Sequence, residues 1–189
     1  MRTALIPQRE SQSLLDKALS AIAPVVAMDN KAIRVHASVT TAEVYLRFRG
    51  LTFARWSEGC VRFGLDEAEK VLKPRTERAL QQLVAKLQTY RHPMASDLRH
   101  PLFRLQLERW MQSLVLEDVS RIDVGLNPAH VYEQVLAQGR GQHGIIGLLC
   151  VTRTGRLALL ELKAAENLNL PLQAGDYWSR IRLAALRIF

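Results

Sequence analysis

Apolar positions recur along the chain with two different periods. From about Glu10 to Ala27, Leu14, Leu15, Ala18, Leu19 and Ile22 recur at helical spacing and predict a helix that Pro24 ends or bends. Alternation follows. In AIRVHASV, Ile33, Val35 and Ala37 share one face. In EVYLRFRGLTFARW, Val44, Leu46 and Phe48 share one face and Arg47 and Arg49 take the other, with Gly50 predicted to bulge or turn the chain. SEG is a short turn at Ser57 to Gly59, and CVRFGL returns as a strand. Together these segments predict a small antiparallel sheet with an arginine-bearing face. RTERALQQLVAKLQTY then predicts a helix whose stripe is Leu80, Leu83, Val84 and Leu87.

RHPMASDLRHP, a basic loop with two prolines, marks the expected seam between an N-terminal α+β module (residues 1–92) and a second unit (93–189). In the second unit, LFRLQLERWMQSLVLED predicts one helix from Leu102 to Asp118. NPAHVYEQVLAQ predicts a strand centred on Tyr132 to Leu136, and GRGQHG a flexible connector. GIIGLLCVT, the turn RTG and RLALLELKA read as a hairpin, and Pro171 as the first turn of a last helix. The predicted order is helix, strand, strand, strand, helix, so the expected fold class is mixed α and β (α/β or α+β). Leu148, Leu157, Leu159, Leu160 and Leu162 lie on both faces of the hairpin, which predicts burial on both sides beneath flanking helices. No internal repeat interrupts this plan.

The chain has 189 residues, 48% hydrophobic and 23% charged, which supplies a core and excludes disorder as the default. Lysine and arginine number 26 against 18 acidic residues, a net charge of +8. That balance points to a polyanion, nucleic acid first, with a merely solvated basic surface as the alternative. Arg47 and Arg49 on the strand face, with Arg55, and Arg91 and Arg99 in the loop, with His92 and His100, form the candidate phosphate track. Trp56, Trp110 and Trp178 read as core anchors, with base stacking a second reading for Trp56. Cys60 and Cys150 lie beside no His/Cys cluster, so neither a disulfide framework nor a zinc site is indicated. A cytoplasmic setting is expected. The first residues lack the apolar core of a signal peptide, and no apolar run is long enough to span a bilayer.

The chemistry is concentrated in LALLELKAAENLNLPLQAGDYW, Leu157 to Trp178. Glu161 and Lys163 are two apart and project from one face of a strand end. Gln173 and Tyr177 are four apart and share one helix face. Metal-assisted hydrolysis of a phosphodiester needs carboxylates for Mg²⁺ or Mn²⁺, and a cation that orients water or steadies charge. Glu161 and Lys163 supply one of each. Each also has a structural reading: Glu161 and Lys163 as a solvated strand end, Gln173 and Tyr177 as a helix packing pair.

These residues resemble the PD-(D/E)XK nuclease superfamily, the restriction-endonuclease-like fold, over roughly Leu102 to Ile188. GIIGLLCVTRTGRLALLELKA is similar to the superfamily hairpin that ends in E-x-K, and QAGDY to the Q-x-x-x-Y motif of its RecB-like members. The resemblance implies a metal-dependent DNA endonuclease with Glu161, Lys163, Gln173 and Tyr177 as catalytic residues. It implies Mg²⁺ or Mn²⁺ on Glu161, with Glu108 of LERWMQS similar to the glutamate on the family's first helix. Glu133, in the otherwise apolar VYEQV, is a further candidate ligand, against a place at a strand edge. The family's metal-binding aspartate falls at Gly147 here, and glycine carries no ligand. The expected protein is thus a nuclease-fold, DNA-binding hydrolase with a depleted metal site. The alternative is a non-catalytic DNA-binding or protein-interaction module on the same fold. DNA is the expected partner, a membrane is not, and a homodimer is left open.

Overall fold

The computed structural model describes residues 8–27, 32–38, 41–65, 68–139 and 142–185. The chain divides into two compact units, residues 1–106 and 107–189. In the first, helix α1 (Gln8–Ile22) precedes five strands: β1 (Ile33–Ala37), β2 (Glu43–Phe48), β3 (Leu51–Ser57), β4 (Cys60–Phe63) and β5 (Lys70–Val71). Helices α2 (Glu77–Tyr90) and α3 (Pro101–Arg104) follow. The strands form an antiparallel meander in the order β1-β2-β3-β4-β5. Two hairpin turns, Arg49-Gly50 (φ 45° and 80°) and Glu58-Gly59 (φ 50° and 77°), hold both central residues left-handed. That geometry matches the twist of the flanking strands.

Alternation along β2 buries Val44, Leu46 and Phe48 in one core with Leu14, Ala18 and Ile22 of α1 and Leu80, Val84 and Leu87 of α2. Trp56 belongs to this core and is buried, so it is not a base-stacking residue. The β2–β3 register slips between Leu46 and Arg47, and Phe53 and Ala54 are both buried there. This bulge lets Thr52 and Arg55 stay together on the opposite face.

The single helix expected over Leu102 to Asp118 is broken. Helix α3 ends at Arg104, Gln106 turns left-handed (φ 50°), and α4 runs from Leu107 to Glu117. The cause is Arg91. Its guanidinium donates to the carbonyls of Leu102, Leu105 and Gln106, and to that of Arg49. Leu102 and Leu105 also pack against the first core. The boundary expected after His92 therefore falls at Gln106.

In the second unit, α4 and a 3₁₀ turn (Val119–Arg121) lead into β6 (Leu126–Gly139), β7 (Gln142–Thr152), β8 (Leu157–Leu160) and α5 (Leu170–Ala185). The sheet is antiparallel in the order β6-β7-β8. The predicted element order is present. The connector GRGQHG is largely strand, with residues 140 and 141 outside those described. Val115, Val119, Leu126, Leu148 and Cys150 form the core, with Val131, Leu160 and Leu162 against it. Burial on both faces of the hairpin is not observed: Leu157 is 37% exposed, Ile145 52% and Tyr132 49%. Val115 of α4 and Val119 of the 3₁₀ turn cover the Leu148 face, whereas α5 packs along β6. Trp110 is buried as expected, but Trp178 of α5 is largely exposed. No helix among the described residues is long and apolar enough to cross a membrane.

Candidate functional site

Strand β8 ends at Leu160, and Glu161 to Lys163 continue past its rim. The β7–β8 register pairs Leu148 with Leu160, which sets Gly147 beside Glu161. A Cβ built on Gly147 would lie 3.5 Å from the Leu160 carbonyl oxygen and 3.9 Å from Glu161 Oε2, both ordinary contacts. Position 147 thus faces Glu161 and has room for a side chain.

Lys163 Nζ stands 3.4 Å from Glu161 Oε1 and 3.9 Å from Glu108 Oε2. The three side chains differ in exposure: 10% for Glu161, 20% for Lys163 and 50% for Glu108. Glu161 Oε2 is buried and accepts no hydrogen bond among the described residues. A desolvated carboxylate oxygen without a donor costs stability, so a cation or an ordered water is its natural complement.

Helix α4 holds one wall. Glu108 lies in its first turn, and its Oε1 is 3.5 Å from the Ala164 amide. Gln112, one turn later, donates from Nε2 to the Gly147 carbonyl at 3.1 Å and ties α4 to β7. Sequence reasoning singled out Glu108 but missed Gln112 and Arg109, which also line the cleft. The available signal was the i, i+4 spacing from Glu108 to Gln112. On α5, Gln173 Nε2 donates to Tyr177 Oη at 3.1 Å. Gln173 lines the cleft and Tyr177 does not, so the pair acts through Gln173. The cleft measures about 230 Å³. That is smaller than the roughly 300–1,000 Å³ of drug-sized ligand sites, and it suits an ion and a phosphate group.

The expected ligand set is not gathered. Glu133 pairs with Leu148 across β6–β7, on a strand that contributes no described residue to the lining of the cleft. Among the described residues no group of three or more His, Cys, Asp or Glu stands close enough to hold a metal. The oxygen donors present are those of Glu161 and Glu108. They fit Mg²⁺ or Mn²⁺ in kind, as hard oxygens, though two carboxylates leave most of the coordination to water or phosphate.

The four candidate phosphate-binding arginines separate in the structure. Arg47 lies half-buried on the polar face of β2, directly across from Arg34 of β1. Arg49 lies in the β2–β3 turn, and its Nε and Nη1 are buried without a hydrogen-bond acceptor among the described residues. Arg99 is exposed in the loop before α3. Arg91 is not a phosphate contact: it is fully buried, and its donors are directed at four backbone carbonyls. Burial, and then the nearby charge of Arg49, pull its pKa down to about 10. On the polar sheet face, burial and then the charges of Arg47 and Arg34 push His36 down to about 4, so it is neutral at pH 7.

No protein-family model, no curated protein and no solved structure matches this chain.

Proposed function

We propose that the protein binds nucleic acid, DNA first, and that its second unit is a depleted relative of metal-dependent nucleases. It would hydrolyse phosphodiesters weakly if at all. The observation that carries this reading is Glu161 Oε2, a buried carboxylate oxygen without a donor, facing Gly147 and flanked by Lys163. Mg²⁺ or Mn²⁺ would be held by Glu161 with help from Glu108, and would supply charge stabilisation at a phosphate oxygen. Lys163 would orient water or steady a phosphate. Gln173, hydrogen-bonded to Tyr177, would position the substrate.

The depleted reading is favoured by how Lys163 is engaged. Its ammonium lies near both Glu161 and Glu108 and balances part of their charge. A single divalent ion beside it is therefore held less firmly than in a site with a further carboxylate. The test is cleavage of plasmid and linear DNA with Mg²⁺ and with Mn²⁺. The wild type should cut barely above background, Gly147→Asp should gain metal-dependent cleavage, and Lys163→Ala added to it should abolish the gain. Strong wild-type cleavage that Glu161→Ala removes would overturn the depletion. Absence of cleavage from Gly147→Asp would favour the non-catalytic module.

A further inference from the structure

The net charge is divided unevenly between the units. Residues 1–106 carry 17 lysines and arginines against 10 acidic residues, and residues 107–189 carry 9 against 8. Of the total charge of +8, the first unit therefore holds +7 and the unit with the Glu161 cleft holds +1. A polyanion is attracted mainly by the unit that lacks that cleft.

Within the first unit the register gathers this charge. The face of the meander opposite α1 and α2 carries two arginine pairs set directly across from each other, Arg34 with Arg47 and Arg55 with Arg62. Like charges directly opposite on neighbouring strands are unfavourable. Two carboxylates stand by Arg55, Glu69 Oε2 at 2.7 Å from its Nη2 and Glu43 Oε1 at 3.9 Å from its Nη1. Arg62 is exposed, and Arg55 Nε is buried without an acceptor among the described residues. His36 across from Tyr45 shares one cross-strand row with Arg55 and Arg62, Tyr45 standing directly opposite Arg55, and Arg34 with Arg47 lie two residues along the same strands. The Tyr45 hydroxyl donates to Glu43 Oε2 at 2.6 Å, which fixes the ring, and His36 is uncharged at neutral pH.

We infer that this sheet face is the nucleic-acid-binding platform of the protein and that it takes a single strand. Two arginine pairs beside two adjacent rings suit a sugar-phosphate track with bases stacked on the rings, which a duplex cannot offer without unpairing. The inference rests on the nucleic-acid reading above and deepens it: recognition belongs to the first unit, apart from the cleft.

The experiment uses the full chain and a fluorescent oligothymidylate of about 16 nucleotides, near the upper site size of single-strand-binding folds. Affinity is measured by anisotropy across a salt series, with a duplex of equal length as competitor. Arg34→Gln with Arg62→Gln should weaken binding about tenfold or more, and flatten the slope of log K against log salt by about 1.4. Tyr45→Ser should weaken it severalfold with the slope unchanged. Thermal melts confirm that each variant is folded, and Arg62→Glu, at an exposed position, serves if the double variant is not. Wild-type binding with unaltered affinity in folded Arg34→Gln/Arg62→Gln would overturn the placement on the sheet. Preference for the duplex together with an inert Tyr45→Ser would overturn the single-strand assignment. No binding of either probe by wild type at low salt would instead remove the nucleic-acid reading itself.

Discussion

A buried guanidinium is stable only when its donors are satisfied, and Arg91 directs its donors at the backbone oxygens of Arg49, Leu102, Leu105 and Gln106. It joins the β2–β3 turn to the segment that would otherwise continue as helix. Arg91→Ala should therefore cost about 3–5 kcal/mol in urea denaturation, since several buried carbonyls lose their donor at once. Arg91→Lys should recover only part of that, because one ammonium cannot reach in all four directions. A loss below about 1 kcal/mol would mean that water replaces the guanidinium. Gly147 poses the opposite problem, a side chain missing where one fits. Gly147→Asp without metal should lower the melting temperature by a few degrees, because its carboxylate would face that of Glu161. Saturating Mn²⁺ should reverse that loss, and a variant indifferent to Mn²⁺ would contradict the site.

At the scale of elements, the outer face of the first sheet is tuned by burial and then by its own charges. His36 has a folded pKa near 4 against about 6.5 in the unfolded chain, so between these values the unfolded state binds more protons. Stability supplied above pH 6.5 is lost as pH falls towards 4, on the order of 2 kcal/mol, and His36→Gln should remove that part of the acid dependence. The check is chemical denaturation of both proteins from pH 4 to 7. Parallel curves would show that burial, with the charges of Arg47 and Arg34, does not keep the proton off His36. The strands on which this depends were legible in the sequence, because Val44, Leu46 and Phe48 alternate cleanly with Tyr45 and Arg47. So were Glu161 and Lys163 at a strand end, with Gln173 on the following helix. The break at Gln106 was not legible, because its cause is Arg91, fifteen positions earlier and drawn inward by folding. Nor was the half-open face at Tyr132, Ile145 and Leu157: a run apolar at every position looks the same whether one face is covered or two.

For the whole molecule, the proposed function divides the work between the two units: recognition in the first, of charge +7, and the Glu161 cleft in the second, of charge +1. Binding and chemistry should then respond to different substitutions. Lys163→Ala should leave oligonucleotide affinity within about twofold, since one screened cation contributes little to a multi-contact polyanion complex. A tenfold loss of affinity in Lys163→Ala would place recognition in the cleft. One carboxylate at position 147 should complete an ion site around Glu161. Calorimetric titration of Mn²⁺ into the wild type and Gly147→Asp measures this without any assumption about substrate. The expected result is weak or unmeasurable binding by wild type, and one site at least tenfold tighter in Gly147→Asp that Glu161→Gln abolishes. Tight binding by wild type, or none by a folded Gly147→Asp, would contradict it.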